Sequence, residues 1–394
     1  MCQELYIYWT FFNVGTKIAA TCRANGSANA CNCSQQCPES SSQDEYFMIA
    51  ATSNRSMGLQ AIRGIAAFLV LLQHVFWLGS YFSSGPTTVL NSLLLGGSGV
   101  FLFFGLSGYL MAGQMNRAPK RFLVDRFRRI YPGLIFAFVV SGFALSYFSY
   151  NVWPEWTTVL LIPTGKADSI FIPYWTLIYE MQFYLLILLV GRLHAKYLNP
   201  AMLVWAAAIL LFHSVPPAMV ARASYPGFGE ILFSFYNFYF ITGIFVWQSS
   251  KRFPCKPSEL VIGSAILFVA TMINVFTEYG AVVYYYLAIL AVFFVVRGGS
   301  VWCPKNFVSN FFVRLGDVSY GVYLIHISAC FFTMLFVKEL LGIKLGYWQG
   351  VIVIFIVGGS ASYFFGFLEL KLQEKLKFLG KSRTVESSVA AVAK

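Results

Sequence analysis

From residue 57 to about 370 the chain repeats one pattern: apolar runs of about twenty residues, separated by short polar turns. That length carries a helix across the hydrocarbon of a bilayer. Ten runs can be marked, roughly 59–80, 89–112, 130–150, 171–191, 200–218, 229–249, 258–276, 280–297, 317–337 and 347–369. The fifth is the weakest, because "HSVPP" (213–217) interrupts it, and "WTTVLLIP" (156–163) is too short to span and reads as re-entrant or interfacial. Composition agrees: 58% of the 394 residues are hydrophobic and 11% charged, where a soluble domain carries about 25% charged residues. The expected fold is an all-α polytopic membrane protein of about ten transmembrane helices.

The positive charges test that count. The net charge is +12, but in a membrane protein excess Lys and Arg mark cytoplasmic loops rather than a nucleic-acid partner. One set of alternating connections holds Arg117, Lys120, Arg121, Arg126, Arg128 and Arg129, then Arg192 and Lys196, then Lys251, Arg252 and Lys256, then Arg297, Lys305 and Arg314, and finally six basic residues from Lys371 to Lys394. The other set holds only Lys166, Arg222, Lys338 and Lys344. A missed span would scramble this alternation. Both termini are therefore expected in the cytoplasm, with the protein multi-pass in the plasma (bacterial inner) membrane.

Residues 1–56 are polar, rich in Ser and Asn, and contain five of the eight cysteines. "CNCSQQC" (31–37) fits no common zinc spacing and has no His nearby. A disordered leader is expected, with Met57 as the natural start; a membrane domain then covers 57–375 and a basic cytoplasmic tail 376–394. The chain has no Walker loop and no G-x-G-x-x-G after a strand, so it does not read as an ATP-driven pump.

Charge inside a span is costly and therefore informative. "IRGIAAFLVLLQHVFW" (62–77) carries Arg63 and His74, eleven residues apart. Three turns plus about 20° put them on one helix face, about 16 Å apart along the axis. Arg63 is close enough to the end to snorkel; His74 is too deep and too short. Glu180 and His326 each lie some nine residues into a later span. Two His and a Glu in one middle band favour a buried polar cavity over isolated interhelical bonds. No close His spacing supports a metal, and none is expected. In the basic segment 117–132, Arg126 and Arg129 share a helix face, and their planar forks suit phosphate. The glycines at 97, 99, 105 and 108 allow close approach of helices, and "GLSGY" lacks the strand-turn-helix setting of a hydrolase nucleophile.

Taken together these stretches resemble acyltransferase family 3, the integral-membrane O-acyltransferases, over nearly all of the chain after residue 57. The resemblance rests on Arg63 and His74 as an Arg-x10-His pair, on "GSGVFLFFGLSGYLM" (97–111), and on Arg126, Arg129 and Pro132. It rests further on Trp175, Glu180, Phe183 and Tyr184, and on Gly316, Ser319, Tyr320, Tyr323 and His326. It implies transfer of an acyl group, often acetyl from acetyl-CoA, to a hydroxyl of a cell-surface or lipid-linked carbohydrate. Acyl-CoA would be the donor substrate, with no tightly bound cofactor, and the partners would be the carbohydrate or glycolipid acceptor and membrane lipid. His74, Arg63, Glu180 and His326 would form the catalytic set; Arg126, Arg129 and Arg63 would bind the donor. His74 as a general base and His74 as an acyl carrier both stay open at this point, as does the choice between Glu180 and His326 as its partner. A carrier or flippase of lipid-linked saccharide, which also uses buried His and Glu, is the alternative from another class.

Overall fold

The structure, a computed structural model, describes residues 56–83, 93–115, 117–150, 153–168, 171–192, 197–212, 225–277 and 280–392. The expected leader therefore lies outside the described residues except for Ser56, and so does "HSVPP".

Among the described residues the chain is helical, with no strand and one isolated bridge, Thr164 to Gly227. The helices are α1 (Met57–Ser83), α2 (Leu95–Ala112), α3 (Pro119–Ser146), α4 (Trp175–Arg192), α5 (Leu198–Phe212) and α6 (Asn237–Arg252). There follow α7 (Ser258–Phe276), α8 (Gly280–Val301), α9 (Phe307–Asp317), α10 (Ser319–Leu335), α11 (Tyr347–Val353) and α12 (Gly359–Val392). A π-helical turn, Phe336–Leu340, extends α10, and another, Ile354–Gly358, joins α11 to α12. Seven of these segments are long and apolar enough to cross a membrane: α1, α2, α3, α7, α8, α10 with its extension, and Tyr347–Leu376. The other three expected runs are occupied by the shorter helices α4, α5 and α6.

Two expectations change. The basic segment 117–132 is not a loop, because α3 starts at Pro119, eleven residues ahead of the expected span. Proline at the first helical position has its φ already set, and the N–H it lacks would have had no partner there. The sixth run also begins late: Phe228–Ile231 forms a separate turn before α6. The short "WTTVLLIP" stretch is a single helical turn, Trp156–Val159, ended where Leu161 adopts a positive φ of 56°.

α1 sits centrally, packed by α2, α8, α9, α10 and α11. Small residues set the approach. A Cβ at Gly64 would fall 2.0 Å from the Phe312 carbonyl oxygen, and one at Gly316 would fall 2.0 Å from that of Gln60. α1 and α9 therefore touch backbone to backbone, and Gln60 Nε2 donates to Asp317 Oδ1 at 2.9 Å across the same joint. The crossing lies next to Arg63 and fixes the end of α1 from which it projects.

Candidate active site

The sequence-marked residues fall into two groups. Arg63 joins Arg126 and Arg129 of α3, Glu180 of α4, and Tyr320 and Tyr323 of α10 around a cavity of about 80 Å³. His74 and His326 do not line it; they meet each other instead. The one polar cavity expected for His74, His326 and Glu180 is thus divided: Glu180 lines it with the arginines, while the histidines pair outside its lining.

α3 shows why the arginines are held where they are. Pro132 lies inside the helix and has no N–H, so the Arg128 carbonyl loses its helical donor and the ring crowds this turn. Side chains from two other helices secure the neighbouring carbonyls. Gln373 Nε2 donates to Arg129 O at 3.1 Å, and Tyr320 OH donates to Ile130 O at 2.7 Å. The turn carrying Arg126 and Arg129 is thereby tied to α10 and α12.

Arg126 is only 9% exposed. Its guanidinium carbon lies 5.1 Å from the Phe122 ring centre and 5.5 Å from that of Tyr184, and it donates to Gln114 Oε1. Its Nε has no partner among the described residues. A buried guanidinium with spare donor capacity beside two further arginines has the chemistry of an anion site. Glu180 accepts from Tyr184 OH, and its carboxylate and that of Glu369 both act electrostatically on Arg129. Glu369 is 2% exposed and is not among the residues marked by the sequence analysis above. The rule that marked His74 also applies to it, since "SYFFGFLELK" places a carboxylate at the end of an apolar run. Ser107 lines the same cavity as an ordinary wall residue on the glycine-rich helix.

The two histidines have definite orientations. His74 Nδ1 lies 2.8 Å from Val70 O, and His326 Nδ1 lies 2.7 Å from Tyr323 O. A carbonyl only accepts, so each Nδ1 carries the hydrogen and each Nε2 keeps its lone pair. His326 Nε2 then accepts from His74 Nδ1 at 3.2 Å, with ring centres 4.8 Å apart and planes at 71°. His74 Nε2 keeps its lone pair with no partner among the described residues, on a ring oriented from behind by a backbone carbonyl and a second imidazole. If Nε2 takes up a proton, the donating Nδ1–H strengthens both contacts and spreads the charge, which is the logic of a base held by an orienting group.

Tyr323 connects the two groups. Its ring lines the cavity, lies 5.7 Å from the His326 ring, and its hydroxyl accepts from Thr176 Oγ1 at 2.9 Å. Phe103 meets it edge-on at 5.6 Å. Thr176 was not marked in the sequence; a threonine inside a helical run has no distinguishing signal.

The family model of an acyltransferase domain matches residues 58–368. A Shigella phage Sf6 protein named O-acetyl transferase is 30% identical over 111 residues, covering 25% of this chain and 32% of that protein. The match thus spans about a third of the relative's length. No solved structure matches the chain.

Proposed function

This chain belongs to the acyltransferase 3 family, and on that premise we propose that it is a membrane-bound O-acyltransferase moving an acetyl group from acetyl-CoA to a hydroxyl of a cell-surface or lipid-linked carbohydrate. The observation that carries this reading is the histidine pair: a half-buried imidazole whose Nε2 has no partner among the described residues, oriented through Nδ1, on the same helix face as an arginine about 16 Å away along the axis.

In this reading all ten helical runs cross the plasma membrane and both termini face the cytoplasm, so the arginine cavity opens on the side that holds acyl-CoA. Arg63, Arg126 and Arg129 bind the donor phosphates, and the extended thioester arm runs along the face of α1 towards His74. His74 Nε2 removes the proton of the acceptor hydroxyl as its oxygen attacks the thioester carbonyl. The tetrahedral intermediate collapses with cleavage of the C–S bond, and the proton on Nε2 passes to the departing CoA thiolate. The ester is formed and the base is restored. His326 is the positioning residue behind His74. Glu180, facing Arg129 and bonded to Tyr184, tunes the donor cavity and does not touch the base.

The test is transfer of labelled acetyl from acetyl-CoA by the purified full chain, supplied with membranes from cells that lack it. Label in the glycan fraction is the expected result. A carrier or flippase would leave acetyl-CoA intact, and that outcome would overturn the proposal. The donor site has its own check. Arg126→Lys and Arg129→Lys keep the charge, and with it the topology, but replace a fork with a point charge. Each should raise the apparent KM for acetyl-CoA about tenfold, with a smaller change in kcat. An unmoved donor KM in both variants would remove the phosphate role from this pair.

A further inference from the structure

Beyond His74, α1 continues with a row of aromatic residues that the donor cavity and the histidine pair do not use. Trp77 is 46% exposed and Tyr81 63% exposed. Positions 74, 77 and 81 follow the spacing that puts side chains on one helix face. The rings are in sequence. His74 and Trp77 lie 6.4 Å apart, and Trp77 and Tyr81 lie 6.1 Å apart with planes at 32°. Tyr81 then lies 6.4 Å from Phe331, which is buried on α10 five residues past His326. Tyr150 and Phe171, from the connection between α3 and α4, close around the same Phe331 at 5.6 and 4.3 Å, and Ser328 Oγ donates to Phe171 O at 2.6 Å. The row therefore follows the seam between α1 and α10 where the histidines meet, and extends about 10 Å from His74 to Tyr81, two residues before the end of α1.

We propose that Trp77 and Tyr81 form the acceptor subsite, a stacking platform for a pyranose ring that brings one of its hydroxyls to His74 Nε2. This deepens the function proposed above and rests on it. A sugar ring is polar at its edge and carries C–H groups on its faces. Those faces bear slight positive charge and pack on the negative faces of aromatic rings, while the hydroxyls stay free for other contacts. The donor cavity lies on the Arg63 side of His74 and the platform on the opposite side, so the two substrates reach the base from different ends. Aromatic residues at a membrane interface can also serve as anchors in the headgroup region. This pair is instead aligned with the histidine and reaches a buried residue of α10.

The experiment uses the full chain in lipid nanodiscs, acetyl-CoA as donor, and a dilution series of membranes from cells lacking the protein as acceptor. Trp77→Leu and Tyr81→Leu keep the apolar character an anchor needs and remove the flat face. Each should raise the acceptor KM about tenfold, leave the KM for acetyl-CoA in place, and be partly rescued by Trp77→Phe and Tyr81→Phe. Wild-type acceptor KM in both Leu variants would overturn the platform. So would an equal rise in both substrates' KM, which would mark a structural role. If the wild-type protein itself labels no glycan, the acceptor class fails together with the function above, and that result is distinct from failure of the platform alone.

Discussion

His74→Gln is expected to lower acetyl transfer by about 10²–10⁴-fold, the usual contribution of a positioned general base. Glutamine keeps the size and polarity of the side chain, and its amide N–H can still donate to Val70 O, the partner of Nδ1 at 2.8 Å. What it lacks is a basic nitrogen. The KM for acetyl-CoA should hold, because Arg63, Arg126 and Arg129 line a cavity that His74 does not enter. His326→Leu removes only the orienting ring and should give a smaller loss, in kcat rather than in donor KM. Single-turnover acetyl transfer by the inserted, purified variants measures both. Transfer at near wild-type rate by His74→Gln would end the mechanism and bring the carrier reading forward.

Arg297→Met is expected to cost about 3–5 kcal/mol of stability, the penalty for leaving a buried charge without its partner. Arg297 Nε lies 2.7 Å from Glu259 Oε2, with side-chain exposures of 10% and 14%. The same guanidinium donates to Ser249 Oγ at 3.1 Å, Phe253 O at 3.2 Å and Pro254 O at 2.8 Å. It thus joins the ends of α6 and α8 to the start of α7, and its removal also strands two carbonyls. The double variant Arg297→Met, Glu259→Gln should recover much of the loss, since no charge is then left unpaired. Thermal unfolding of the three proteins in one detergent decides it. A single variant as stable as wild type, or a double variant worse than the single, would show that the pair does not hold this joint.

Arg297 has a partner that the chain alone does not reveal. By sequence it counts among the charges that mark the cytoplasmic side, and nothing in "FFVVRGGSV" distinguishes an arginine in water from one folded back onto Glu259. The basic segment before Pro132 posed a similar problem. A run of arginines and lysines reads as a loop by charge, yet Pro119 opens a helix there that runs through to Ser146.

What the sequence by itself determined is whatever depends on local solvent preference and on period. The apolar runs required a membrane and mark where its helices lie. The eleven-residue spacing put Arg63 and His74 on one face, and a charge inside an apolar run identified His74, His326 and Glu180 as residues needing partners. Which partner each one took was decided only by the tertiary structure. His326 lies 252 positions from His74, and no periodicity connects residues on different helices; their contact follows from how α1 and α10 cross. Glu180 was assigned to the same band because depth can be counted along a helix. Rotation about the helix axis relative to the neighbours cannot be counted, and it turned Glu180 towards Arg129. The tie of Gln373 and Tyr320 to the carbonyls around Pro132 arose in the same way, from close packing between segments distant in the chain.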